Sequence, residues 1–162
     1  MSDFSYLQAA TDSIPDASMM RFGIVVTEWN NTITDKLLEG AVGRLLASGV
    51  SESAITVKRV PGCFELVYGA SQFVHQGLVD AVLVLGCVIR GDTPHFDYIC
   101  SGVTQGITEL NAQGKVPVVF GVLTVNTEEQ AEERCGGRLG NKGEEFALTA
   151  VKMADYAWQF QK

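Results

Sequence analysis

The sequence predicts an α/β fold, a three-layer αβα sandwich whose four-stranded parallel sheet, in strand order 2-1-3-4, lies between two layers of helices. Two observations predict it. Four short apolar runs, Phe22–Val26, Ile55–Val60, Ala81–Leu85 and Val118–Leu123, have the continuous, β-branched character of strands buried on both faces. The segments between and after them repeat their apolar residues at helical spacing, and strands separated by helices pair in parallel through right-handed crossovers.

Each element has its own signal. The first run is followed by the stripe Leu37, Leu38, Ala41, Val42, Leu45 and Leu46, which opens near Thr32 and Asp35 and stops at Gly49. After the second run, Leu66–His75 reads as a helix. After the third comes the stripe Phe96, Ile99, Cys100, Val103, Ile107 and Leu110, and after the fourth the helical stretches Glu128–Arg134 and Glu144–Phe160. Residues 1–18 are polar with scattered apolar positions and are expected to form an arm, loose alone or docked on a neighbouring subunit. Residues 19–162 then form one domain, as a chain of 162 residues with 46% hydrophobic and 19% charged residues allows.

Composition excludes several function classes. A formal charge of -7 opposes a surface built to neutralise nucleic-acid phosphates. No apolar stretch approaches the roughly 20 residues that span a bilayer, and Met1–Ser18 has neither a basic flank nor an apolar signal segment, so a cytoplasmic protein without a membrane partner is expected. Cys63, Cys87, Cys100 and Cys135 lack metal-finger spacing and read as small buried hydrophobes. The chain has no GxxxxGK[ST] loop, no GxGxxG after its first run and no GxSxG. Its two histidines lack a carboxylate cluster suited to zinc, and neither metal nor cofactor is expected.

In open parallel sheets ligands bind beyond the carboxyl ends of the strands, and here those ends are polar. They carry Glu28-Trp29-Asn30-Asn31, Pro61-Gly62-Cys63-Phe64-Glu65, the stretch Gly86 to His95, and Thr124-Val125-Asn126. In the third, Gly91 permits a turn, Asp92 or Thr93 can cap a helix, and Pro94 suits its first position. A helix N-terminus there favours an anion, and His95 in its first turn can move protons at neutral pH. Trp29 at a strand mouth can stack on a heteroaromatic ring, and Glu65 can accept from substrate hydroxyls. Arg134, Arg138 and Lys142, set among four glycines between Arg134 and Gly143, suit close approach to an anion. Read singly, each has a plain alternative: a helix cap, a surface histidine, a packing indole, a dipole-stabilised carboxylate.

Taken together, four motifs resemble the lumazine synthases. They are Val60-Pro61-Gly62-Cys63-Phe64-Glu65, Gly86-Cys87-Val88-Ile89-Arg90-Gly91-Asp92-Thr93-Pro94-His95-Phe96, Phe120-Gly121-Val122-Leu123-Thr124, and Glu128 to Arg134 leading to Gly140-Asn141-Lys142-Gly143. The resemblance runs from about Arg21 to Met153. It implies a flavodoxin-like sandwich and a cofactor-independent condensation of 5-amino-6-(D-ribitylamino)uracil with 3,4-dihydroxy-2-butanone 4-phosphate. The products would be 6,7-dimethyl-8-ribityllumazine, phosphate and water, in the penultimate step of riboflavin biosynthesis.

By the same resemblance Trp29 stacks on the pyrimidine, with Asn30 beside it. Cys63, Phe64 and Glu65 hold the ribityl hydroxyls, and Cys87, Val88 and Ile89 recognise the ring. Asp92 and Thr93 fall where backbone groups receive the keto-phosphate, His95 transfers protons, and Arg134, with Lys142 close by, binds phosphate. Phe120 and Arg134 would come from the adjacent subunit, so the implied partner is a second copy in a pentamer-based homo-oligomer, with riboflavin synthase as a further partner. Trp29 stands where many relatives carry Phe, and Cys63 where many carry a small Ala or Ser. The resemblance leaves two neighbouring readings to separate: a flavin-binding module without turnover, and an archaeal-type riboflavin synthase of the same architecture.

Overall fold

The computed structural model describes residues 13–161. In chain order its elements are β1 (Phe22–Thr27), α1 (Asn31–Ala47), β2 (Ile55–Val60), α2 (Leu66–Gln76), β3 (Ala81–Ile89), α3 (His95–Ala112), β4 (Val118–Val125), α4 (Glu128–Glu132), β5 (Cys135–Gly137), β6 (Gly140–Asn141) and α5 (Lys142–Trp158). The main sheet has the order β2-β1-β3-β4, all neighbours parallel, as the sequence predicts.

Side-chain alternation along the strands sorts the core into two layers. Phe22, Ile24 and Val26 of β1 join Leu83 and Leu85 of β3 under Ala41 and Leu45 of α1 and Ala147, Ala150, Val151 and Ala154 of α5. On the other face Val25, Val82 and Val84 meet Leu66, Ala70 and Val74 of α2 and Val103, Ile107 and Leu110 of α3. Small residues let the helices approach closely. At Gly23 a Cβ would fall 2.7 Å from Phe73 Cδ1, so the phenyl ring lies on the strand backbone itself.

Three readings need correction. The expectation that every strand is buried on both faces fails at β2, where Thr56, Val57, Lys58 and Arg59 are exposed. Among the described residues β2 is the edge of the sheet with β1 as its one neighbour, and its charges face solvent; Arg59 pairs with Asp35 at 2.8 Å. The helix expected over Glu128–Arg134 ends at Glu132, and the segment after it folds as a hairpin of β5 and β6, in which Gly136 (φ 116) and Gly140 (φ 73) take left-handed conformations that L side chains resist. Finally, α5 starts at Lys142 rather than Glu144, because Asn141 caps it by accepting the Gly143 N–H at 2.8 Å.

Of the arm expected over residues 1–18, residues 1–12 lie outside the described residues. Within the remainder Ala17 is buried, and Ile14 packs against the core beneath α1 and α5. No helix among the described residues is long and apolar enough to cross a membrane.

Candidate active site

The lengths of the strands open the site. β1 pairs with β3 as far as Val26 opposite Leu85, whereas β3 stays paired with β4 as far as Ile89 opposite Val125. The end of β3 therefore has no strand neighbour on its β1 side. Main-chain groups alternate sides along a strand. Since the Arg90 N–H donates to Val125 O at 2.9 Å on the β4 side, the polar groups of Cys87 and Ile89 point the other way, into the space past β1.

One wall of that space is the β1–α1 turn. The β1–β2 ladder continues beyond the strands: Glu28 N–H donates to Val60 O at 2.8 Å, and Trp29 N–H to Pro61 O at 3.0 Å. The chain then reverses at Asn30, whose φ of 57° is the one positive φ of a non-glycine residue among the described residues. Asparagine tolerates this left-handed conformation better than most residues. Its Nδ2 donates to Cys87 O at 2.9 Å, tying the turn to β3. Thr27 Oγ1 donates to Trp29 O and Thr34 Oγ1 to Thr27 O, at 3.1 and 3.0 Å. The fixed turn leaves the Trp29 indole 67% exposed over the cleft.

The adjoining wall follows β2. Gly62 N–H donates to Glu65 Oε2 at 3.1 Å, closing the single turn Cys63–Glu65 ahead of α2. Phe64 is exposed, while Cys63 is pressed inward, its Sγ 2.6 Å from where a Cβ at Gly86 would lie. Burial pushes the thiols of Cys63 and Cys87 each up to about 12, so both are neutral SH groups at physiological pH.

The third side is the start of α3. Helix α3 begins at His95; Pro94 stands one residue before it, and the Pro94 carbonyl accepts from Asp97 N–H and Tyr98 N–H at 3.0 and 3.3 Å. The expected capping by the Asp92 or Thr93 side chain is absent, because Pro94, which has no side-chain acceptor, occupies the cap position itself and Asp92 and Thr93 fall before it. Both residues are exposed in the β3–α3 loop, and His95 is exposed at the cleft. Arg90 braces the loop: its guanidinium donates to Asp97 Oδ1 at 3.1 Å and Asn126 Oδ1 at 3.2 Å, and lies 4.1 Å from the Phe96 ring centroid.

The result is an open cleft of about 450 Å³ at the carboxyl end of the sheet. Nine of the expected residues line it: Trp29, Asn30, Cys63, Phe64, Glu65, Cys87, Val88, Ile89 and His95. Two more were missed, Thr27 and Ile99. Thr27 is the last residue of its strand, and Ile99 stands one helical turn after His95, a spacing that puts both on the same helix face.

Phe120, Arg134 and Lys142 are elsewhere. Phe120 lines a separate depression with Cys100, Ser101, Thr104, Gln105 and Thr124. Arg134 follows α4, with Nη1 donating to Gln130 O at 2.8 Å. Lys142 is nearly buried, its Nζ 2.6 Å from Glu145 Oε1, and its main-chain N–H donates to Arg134 O at 2.8 Å. Among the described residues no group of three or more His, Cys, Asp or Glu side chains could hold a metal ion.

Residues 19–157 match the family described as 6,7-dimethyl-8-ribityllumazine synthase. The chain belongs to this family. Proteins bearing that name include one from Phocaeicola vulgatus, 55% identical over 100% of this chain and 94% of its own length. Another, from Parabacteroides distasonis, is 60% identical over 90% of this chain and 91% of its own. A third, from Bacteroides fragilis, is 57% identical over 88% of this chain and the whole of its own. As a lumazine synthase the chain is a transferase of riboflavin biosynthesis, and the four-stranded sandwich is the α/β fold of that family.

Proposed function

We propose that this chain condenses 5-amino-6-(D-ribitylamino)uracil with 3,4-dihydroxy-2-butanone 4-phosphate to give 6,7-dimethyl-8-ribityllumazine, phosphate and water. The observation that carries the reading is the convergence on one cleft of residues from three separate strand ends, Trp29, Cys63 to Glu65, and Cys87 to Ile89, with His95 facing them. A flat exposed indole stacks on the pyrimidine, and the main-chain groups of Ile89 read its edge. Glu65 accepts from ribityl hydroxyls.

The amine of the pyrimidine adds to the ketone and loses water to form an imine. A proton then leaves the adjoining carbon as phosphate departs from the next one, the resulting enol takes up a proton at its terminal carbon to become a ketone, and the ribitylamino nitrogen closes the ring on that ketone with loss of a second water. An exposed imidazole at the first turn of α3 suits each of these proton transfers. The amine is already a good nucleophile, so holding the two substrates together supplies much of the acceleration.

Arg134 and Phe120 belong to the same chemistry through assembly. Neither lines the cleft of its own chain, so each is available to complete the cleft of a neighbour. Five copies in a ring would give every cleft a Phe120 and an Arg134 from the next subunit, with Lys142 supporting the Arg134 main chain through its N–H while its ammonium pairs with Glu145. We place the enzyme in the cytoplasm, with its product passed to riboflavin synthase.

The test is to mix the purified oligomer with both substrates and follow the lumazine by absorbance against the uncatalysed background. The expected result is acceleration, with Arg134→Ala raising KM for the keto-phosphate roughly 10- to 100-fold, the range expected for a lost charge-assisted hydrogen bond. No acceleration from a correctly assembled oligomer would overturn the reading in favour of flavin binding without turnover.

A further inference from the structure

Arg134 is a long, flexible side chain, and the proposed function asks it to meet a phosphate with its free N–H groups correctly aimed. Its guanidinium carries five donors. One of them, Nη1, is held by the Gln130 carbonyl at 2.8 Å, and the nearest carboxylate, Glu133, is 3.9 Å away. Glu133 is itself engaged by Arg138, whose Nε and Nη2 donate to its Oε1 at 3.3 and 3.2 Å. The aim of Arg134 is therefore set mainly by where Gln130 stands.

Gln130 stands on α4, a helix of five residues, too short to be stable by its own hydrogen bonds. Besides the buried Ala131, which packs in one cluster with Leu123 and Val125, two hydrogen bonds tie the helix to the end of β4. Gln130 Oε1 accepts the Asn126 N–H at 2.8 Å, and Thr127 Oγ1 accepts the Gln130 N–H at 3.4 Å. Asn126 continues the path, since its Oδ1 accepts from Arg90 Nε at 3.2 Å while Arg90 Nη2 donates to Asp97 in the first turn of α3. An unbroken series of side-chain and main-chain hydrogen bonds thus runs from the helix turn bearing His95 to Arg134.

We infer that Gln130 is a positioning residue for Arg134, and that Arg90, Asn126 and Gln130 form a relay fixing Arg134 relative to the His95 end of α3 in the same chain. The inference rests on the proposed reading, in which His95 serves its own cleft and Arg134 the neighbour's. On that reading the relay ties together the two half-sites that one subunit supplies, and keeps successive sites of the ring in a common geometry.

The experiment compares Gln130→Leu, which keeps the bulk and removes the acceptor, with Gln130→Glu, which keeps an acceptor for the Asn126 N–H. Gln130→Leu is expected to raise KM for the keto-phosphate about fivefold, the size of one neutral hydrogen bond. KM for the pyrimidine and Tm stay nearly unchanged, and Gln130→Glu restores most of the loss. Titration with inorganic phosphate should show the same ranking. A merely structural Gln130 would move both KM values and Tm together, and that result, or failure of Gln130→Glu to restore, overturns the relay.

Should Gln130→Leu fail to assemble, Gln130→Ala removes the same acceptor with a good helix former and should give the same selective rise, while Asn126→Ala, which keeps its main-chain N–H on Gln130 and releases only Arg90, should give a smaller one; no rise with Gln130→Ala would overturn the inference. Arg134→Ala is run alongside. If it leaves the keto-phosphate KM unchanged, the reading of Arg134 fails and the relay with it; if it raises that KM while the Gln130 and Asn126 variants do not, the relay alone fails.

Discussion

The six-membered ring of the Trp29 indole packs against Gly62, so close that a Cβ there would sit 2.6 Å from Cε3 and Cζ3 of the ring. Gly62 is extended, with φ −134°, so alanine is conformationally acceptable and its effect is purely steric. Gly62→Ala should tilt the indole and raise KM for the pyrimidine about tenfold, a cost typical of an added buried methyl group. KM for the keto-phosphate should not change. Riboflavin, whose ring offers the same flat face, should bind measurably to the unaltered protein and more weakly to the variant by fluorescence titration. An unchanged pyrimidine KM would mean that the indole is not the stacking surface.

His95 is exposed, with few contacts to lose. His95→Ala should therefore leave Tm where it is and lower kcat about a hundredfold, the usual contribution of a positioned proton-transfer group. Steady-state kinetics with both substrates saturating decides the matter: an unaltered kcat would take proton transfer away from this imidazole.

Cys63 and Cys87 impose a pH dependence on stability. Each thiol is raised from 9.0 to about 12 in the folded chain, chiefly by burial, so the native state holds the proton more tightly than the unfolded state does. Their stabilising contribution is full below about pH 9 and falls as pH rises from there towards 12. Urea midpoints should drop over that range, and drop less in Cys63→Ala. Iodoacetamide should label both thiols slowly at pH 8 in the native protein; rapid labelling would show that they are not shielded.

The sequence made the sheet order and most of the cleft legible, because continuous apolar runs mark strands and polar residues mark their ends. It was less informative about where strands stop. Gly86 breaks the apolar pattern and Thr124 adds a polar residue, yet both strands run on to Ile89 and Val125 because ladder pairing depends on the neighbouring backbone. The burial of β2 was misjudged because an apolar run does not say whether a strand lies at the edge of its sheet. The glycines near Arg138 gave no sign of the hairpin they form, which the positive φ of Gly136 and Gly140 shows. The partners of Arg90 were beyond reach: Asn126 lies 36 residues away, and nothing in either residue's local pattern announces the other.

The overhang of β3 beyond β1 has a bearing on how such a pocket tolerates genetic drift. The polar groups that Ile89 offers the cleft belong to the peptide itself, which every residue but proline carries unchanged. Substitutions at 88 and 89 can remodel the apolar wall while leaving the pattern of donors and acceptors intact. Shape and polarity at this end of the cleft are thereby uncoupled, and its apolar surface can change without loss of the main-chain donors and acceptors.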